Sequence, residues 1–290
     1  MKIKKNLAVW LAWMQERALS GLEQGEIETI ARHVAEQVHD PFHPLVAYAH
    51  ALHEKATTIP NRFSENGERA LLDRVSALDV RSAFDVGANV GTWSTHALKV
   101  FPKADVHAFE VVPATFETLS ERLGEDRRVH LHPFGLSDES GHVTVSVYPS
   151  NLLASMFALE GQDHAVGKIE CKVERGADAA AAEGLRHIDI LKIDVEGAEG
   201  RVLSGFEPML TEARVRLVQF EYNRGAILGG FLLKHAYEFF CPRGYRLGKL
   251  TPLGVRFHPY QFAHEDFIGP NYVACREGDE EMIAAVRCPD

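Results

Sequence analysis

The sequence of 290 residues has only 4 cysteines, Cys171, Cys241, Cys275 and Cys288, and no C-x-x-C pair among them. They offer neither zinc-ligand spacing nor a disulfide framework, so a reducing, cytoplasmic setting is expected. No stretch approaches the roughly 18 consecutive apolar residues of a spanning helix, and stable membrane insertion is not expected. The basic opening Lys2, Lys4 and Lys5 leads into a short apolar run with Trp10 and Trp13 that Gln15, Glu16 and Arg17 cut off, which suits a helix docking on its own core better than one lying on a membrane surface. Positive charge is scarce: 31 Lys and Arg stand against 41 Asp and Glu, a net charge of -10. With no basic stripe of useful length, nucleic acid is not an expected partner. Internal repeats and low-complexity segments are missing as well.

What is present is ordinary globular composition, 46% hydrophobic and 25% charged, in a chain long enough to bury a sizeable core. Residues 1–61 read as a helical region: Leu7, Trp10, Leu11 and Met14 recur at helical spacing, as do Ile27, Ile30, Ala31 and Val34, before Thr57 to Asn61 breaks the pattern. From residue 62 to 277, strand-like runs alternate with helical ones, among them VRSAFDV, ADVHAFEVV, RVHLHPFGLS, HIDILKIDV and VRLVQFEY. That alternation predicts an α/β core with a parallel sheet, and the nearly continuous apolar character of IDILKIDV and RLVQFEY predicts strands covered on both faces. Period-two alternation over His142 to Tyr148, with Ile169 to Val173, predicts an inserted hairpin or extra strands. Short runs at Tyr245–Leu250, Gly254–Phe257 and Asn271–Arg276 predict further strands with an antiparallel edge, and residues 278–290 read as a tail.

The chemistry concentrates in the turn after the first strand, Asp85-Val86-Gly87-Ala88-Asn89-Val90-Gly91-Thr92. Glycine at 87 and 91 permits positive φ and close approach of a ligand, and the helix that follows presents unpaired N–H groups to an anion. Glu110, at the end of the second strand, lies 19 positions after Gly91, near the spacing of an acid that holds ribose hydroxyls. A dinucleotide fingerprint needs a second glycine where Asn89 stands and a last one where Thr92 stands, so a pyrophosphate fits poorly. Asp85 before the turn suits instead a ligand with an ammonium group beside a carboxylate. S-adenosylmethionine has both, and its ribose can reach Glu110.

The segments DVGANVGTWS, HAFEVVP, GLSDESG, LKIDVEGAE and FEYN, in this order, resemble the FkbM family of S-adenosylmethionine-dependent methyltransferases over roughly Ala83 to Glu277. The resemblance implies a class I methyltransferase, a Rossmann-like sheet of seven strands with an antiparallel last strand. The implied activity is O-methylation of a hydroxyl on a sugar or other natural-product or glycan acceptor. It places Asp85, Gly87, Asn89 and Gly91, with Thr92 beside them, at the methionine end of the cofactor, Glu110 at its ribose, and Ser137 and Asp138 at its adenine. The helical region before residue 62 lies outside it.

Lys192-Ile193-Asp194-Val195-Glu196-Gly197 falls at the carboxyl edge of the fourth strand, where open α/β sheets bind ligands. Asp194 borders the cofactor and is the first candidate for the general base, with Glu196 second. Lys192, in an apolar run, is expected to pair with a carboxylate, because an unpaired buried ammonium is costly. Glu221 and Asn223, at the end of the next strand, are candidates for acceptor contacts. No resident metal is expected, although His50 with His53, and Asp194 with Glu196, have the residue types for one. Two other readings stand beside methyl transfer: an NAD-binding oxidoreductase, which needs the missing glycine, and a catalytically silent adenosyl-binding scaffold. Acceptor choice is expected to lie in residues 1–61 and the insertion Gly141 to Gly176, with Asn151 to Phe157 as a lid, and oligomeric state is not legible.

Overall fold

The computed structural model describes residues 23–36, 44, 46–49, 51, 62–147, 154–155, 167–267 and 271–289. The expectations for the opening segment, for His50 and His53, for the break at Thr57 to Asn61 and for most of the lid at Asn151 to Phe157 fall outside them. The chain divides into two compact units, 1–56 and 57–290. The first contains the helix Gln24–Ala35, with Glu26 in its first turn and Arg32 and His33 in its last, the charge order that the helix dipole favours. No helix among the described residues is long and apolar enough to cross a membrane.

The second unit is built on a sheet of eight strands in the order β11-β10-β12-β9-β8-β1-β2-β3. Strands β1 (Ser82–Val86), β2 (Asp105–Phe109), β3 (Val129–His132), β8 (Ile188–Ile193) and β9 (Val215–Glu221) run parallel. Strand β12 (Asn271–Arg276) lies antiparallel between β9 and β10 (Tyr245–Thr251). The sheet has eight strands, not the expected seven, because β11 (Gly254–Phe257) folds back on β10 as an added antiparallel edge. A second sheet of four strands joins β4 (Gly135–Ser137), β7 (Gly167–Arg175), β5 (Gly141–Val147) and β6 (Ala154–Ser155). Its β5–β7 antiparallel pair joins the two segments singled out by period-two alternation, as extra strands with β6 between them in the chain.

Side-chain alternation divides the core between the two faces of the large sheet. Phe84, Val86, Leu191, Ile193, Val218 and Phe220 pack with Phe206 on one face, while Ala83, Val106, Ala108, Ile190 and Leu217 pack with Trp93 and Leu98 on the other. The segment read as a tail forms the helix Glu280–Val286, and its Met282, Ile283 and Val286 are buried in that second cluster. Asp279 caps it, accepting from the Met282 amide at 3.2 Å.

Register decides where the site lies. Val86 is level with Phe109 on one side and Ile193 on the other, and Ile193 is level with Phe220. The loops that begin at Gly87, Glu110, Asp194 and Tyr222 therefore leave the sheet side by side at its carboxyl edge, the ligand edge of open α/β sheets. At Gly87 (φ 76°) a Cβ would land on the Asp194 carbonyl oxygen, so glycine is what lets these loops meet. Gly87→Ala is expected to cost about 2–4 kcal/mol, from overpacking plus a left-handed alanine, as a lowered midpoint in chemical denaturation. A midpoint equal to that of the unaltered protein would refute this close packing.

Candidate functional site

The turn from Gly87 to Gly91 is tied down by its own chain. The amides of Gly87 and Ala88 both donate to the Phe109 carbonyl, at 3.0 and 2.9 Å, and Gly91 donates to the Ala88 carbonyl at 2.9 Å. The Asn89 amide donates to Glu110 Oε2 at 2.9 Å and the Val90 amide to Asn89 Oδ1 at 2.7 Å. The other Glu110 oxygen accepts from the Val112 amide at 2.8 Å, so the carboxylate is clamped between two loops. Burial raises the pKa of Glu110, and the two backbone amides oppose that shift. Asn89 holds φ 51°, a left-handed conformation that asparagine tolerates better than most residues.

Lys192 occupies the centre. Its side chain is 5% exposed and reaches up from β8, donating to the Gly87 carbonyl at 2.9 Å. The ammonium lies 3.0 Å from Asp85 Oδ1 and 3.5 Å from Asp194 Oδ2. The other Asp85 oxygen accepts from the Ser94 hydroxyl at 2.7 Å, so Asp85 is fully buried and engaged behind the turn. Burial alone would lower the pKa of Lys192; Asp85, Asp194 and Glu68 more than reverse this and keep it charged. Glu68, from the helix Glu68–Val75, accepts from Asn66 Nδ2 at 2.6 Å and from Gln219 Nε2 at 2.5 Å, forming a buried polar layer under the lysine. Burial raises the Glu68 pKa, with Lys192 opposing.

Beyond β8 the chain turns sharply, with Glu196 at φ 51° and Gly197 at φ 103°. Glu199 reaches back to accept from the Val195 and Gly197 amides at 3.0 and 3.2 Å, closing the loop. Asp194, Glu196 and Glu221 bring one carboxylate oxygen each to within 4.8 Å of one another. Burial, then the charges of Asp194 and Glu199, raise Glu196 to a pKa of about 7. Burial, then Asp194, Glu196 and Glu199, push Glu221 well above the usual carboxylate range. Asn223 fixes the outer rim: its Oδ1 accepts from the Gly225 amide at 2.6 Å, and it hydrogen-bonds the carboxyls of Glu196 and Glu221.

A cavity of about 870 Å³, counting its open mouth, lies over this edge. Gly87, Asn89, Glu110, Asp194 and Glu196 line its polar end, and Val111, Leu136, Val143, Val145 and Val173 its apolar end. Five of the expected site residues thus meet on one wall. The others lie off it. Asp85 is held behind the turn, and Gly91, at φ 77°, is packed where a Cβ would strike Leu119 and Leu123. Thr92 opens the helix Thr92–Val100 and is exposed, while Ser137 donates to Asp138 at 2.8 Å one residue past Leu136. Glu221 and Asn223 stand next to Glu196, outside the cavity lining.

Sequence reasoning missed the layer of Glu68, Gln219 and Asn271, which no local pattern signals. It also missed the valines of β5 and β7 as cavity lining, although the period-two pattern held the information. Ser94 was legible only as a polar residue in a buried helical stretch.

Residues 85–247 match the methyltransferase FkbM domain. The chain is 32% identical over 152 residues to a 31-O-demethyl-FK506 methyltransferase FkbM of Streptomyces tacrolimicus, covering 43% of this chain and 58% of that one. It is 29% identical over 186 residues to the 2-O-methyltransferase NoeI of Sinorhizobium fredii, covering 59% and 74%. Identity is 33% over 154 residues with the hexuronic acid methyltransferase AglP of Haloferax volcanii, covering 52% and 59%. The chain spans a little over half the length of the FkbM and AglP relatives. As the matched region takes in more than half of its residues, the chain belongs to the methyltransferase FkbM domain family.

Proposed function

We propose that this protein is an S-adenosylmethionine-dependent O-methyltransferase whose acceptor is a hydroxyl of a sugar or other natural product. One observation carries the choice of cofactor: all five amides from Gly87 to Gly91 donate within the protein, one of them to the carboxylate of Glu110. A pyrophosphate needs free amides and an absence of negative charge at this turn, and it finds neither. A ligand with ribose hydroxyls meets an anchored carboxylate at Glu110, whose oxygens each keep a lone pair. The apolar walls of Val111, Leu136 and Val143 suit a purine ring, and Asp194 with Asn89 suits an ammonium and carboxylate. The residues fit the cofactor, which when bound supplies an activated methyl group on a sulfonium. The acceptor class rests on the relatives, which are named for a 31-O position, a 2-O position and a hexuronic acid.

What remains for the protein is to hold the acceptor oxygen in line and to take its proton. Positioning is worth roughly 7–11 kcal/mol and a general base about 10²–10⁴-fold. Of the two candidate bases, Asp194 lies 3.5 Å from the Lys192 ammonium, an ion pair that engages one of its oxygens. Glu196 is raised to a pKa of about 7 by burial and by Asp194 and Glu199, with Lys192 opposing, and that value matches the range in which a base works best. We therefore place Glu196 first as the base and Asp194 as the residue that fixes the cofactor edge. Glu221, driven toward its neutral form by burial and by the neighbouring acids, accepts a hydrogen bond from the Asn223 side chain at the rim.

Three outcomes test this reading. S-adenosylhomocysteine should raise the melting temperature of the protein, NAD should not, and Glu110→Ala should lose the shift; the opposite ligand preference would overturn the cofactor. In a methyl-transfer assay with sugar and polyketide acceptors followed by mass spectrometry, Glu196→Gln should lower kcat by about 10²–10⁴-fold while S-adenosylhomocysteine still binds. Because the base must be deprotonated, kcat should rise with pH to a plateau above about 7, and this acid limb should vanish in Glu196→Gln. A flat profile, or unchanged turnover in the variant, would remove Glu196 from the chemistry.

A further inference from the structure

Outside the cavity, three imidazoles share one face of the β2–β3 edge of the large sheet. Register sets His107 level with His130 and Phe109 level with His132. His107 and His132 are buried, and Glu183, just past the helix Gly176–Ala182, overhangs them. His107 Nδ1 lies 3.4 Å from His132 Nε2 and 3.7 Å from Glu183 Oε2. One ligand atom from each of the three residues falls within 4.8 Å of the others. A tetrahedral ion with bonds of about 2.0–2.1 Å holds its ligand atoms about 3.3–3.4 Å apart, so the two imidazole nitrogens already stand at ligand spacing. Their separation exceeds the roughly 2.7–3.2 Å of a well-formed hydrogen bond.

We propose that His107, His132 and Glu183 form a binding site for a divalent transition-metal ion, zinc being the best match to two imidazoles and a carboxylate. The fourth position falls to water or to His130, whose Nδ1 is 3.9 Å from the same Glu183 oxygen. Three further features suit the site to this role. The rings are held in place: His132 stacks on Phe109 at 4.3 Å and His107 packs against Phe84 at 4.9 Å. Burial, then the neighbouring His130 and His132, lower the pKa of His107 to about 3, and burial lowers His132 too, so both imidazoles keep the neutral form that ligates metals. Glu183 and His130 are solvent-accessible at the rim and give an ion a way in. The site makes no use of the methyltransferase reading and stands or falls apart from it.

The test is a calorimetric titration of the chelator-stripped full chain with zinc chloride alone, repeated with cobalt(II) to record the visible absorption of a tetrahedral site. One equivalent should bind and raise the melting temperature. His132→Phe and Glu183→Gln should each weaken binding by at least about tenfold. Glu183 sits at the surface, so its variant keeps the readout even if the buried histidine cannot be replaced without unfolding. Asp194→Asn should leave zinc binding unchanged. The proposal is overturned by an absence of saturable uptake, by uptake that both ligand variants retain, or by uptake lost in Asp194→Asn alone, which would place the ion at the acidic cluster instead.

Discussion

The buried ammonium of Lys192 is the constraint on which the site depends. A lysine this deep is tolerated only with compensating charge, and Asp85 and Asp194 lie within 3.5 Å of it, with the Gly87 carbonyl taking a further hydrogen bond. Those partners come from two strand ends, so one side chain ties the turn after β1 to the loop that follows β8. Asp85, read from sequence as a cofactor contact, is fully buried and spends its oxygens on Lys192 and Ser94. It acts on the cavity through the shape of the turn.

Around this cation the protein gathers more acids than it can keep charged. Burial first, and then the charge of Asp194, raise the pKa values of Glu196, Glu199 and Glu221. A carboxyl brought near neutrality is a usable base, and one driven further becomes a hydrogen-bond donor that holds its neighbours in place.

Much of the core was legible in the sequence because its signals are local. The βαβ alternation, the glycine turn, the spacing to Glu110 and the run from Lys192 to Glu196 each lie within a short window, and the wall of the cavity joins Gly87, Asn89, Glu110, Asp194 and Glu196. What was not legible depends on contacts between distant segments. Glu68 meets Gln219 across 151 positions, and nothing near either residue announces it. The eighth strand was read as a strand, but its place as an edge on β10 follows from the Gly254 turn and its packing, not from apolar pattern. The proposal that ranks Glu196 before Asp194 rests on such contacts too, since the raised pKa of Glu196 follows from its burial and from the acids folded around it.

A crystal structure of the chain with S-adenosylhomocysteine bound tests the account most directly. The account predicts the ribose hydroxyls on the Glu110 carboxylate, the purine between the valines of β5 and β7 and Val111, and the amino-acid end above Gly87 and Asp194. Lys192 should remain within hydrogen-bonding distance of Asp85 and the Gly87 carbonyl. Density for the ligand elsewhere on the sheet, or a ribose turned away from Glu110, would contradict it.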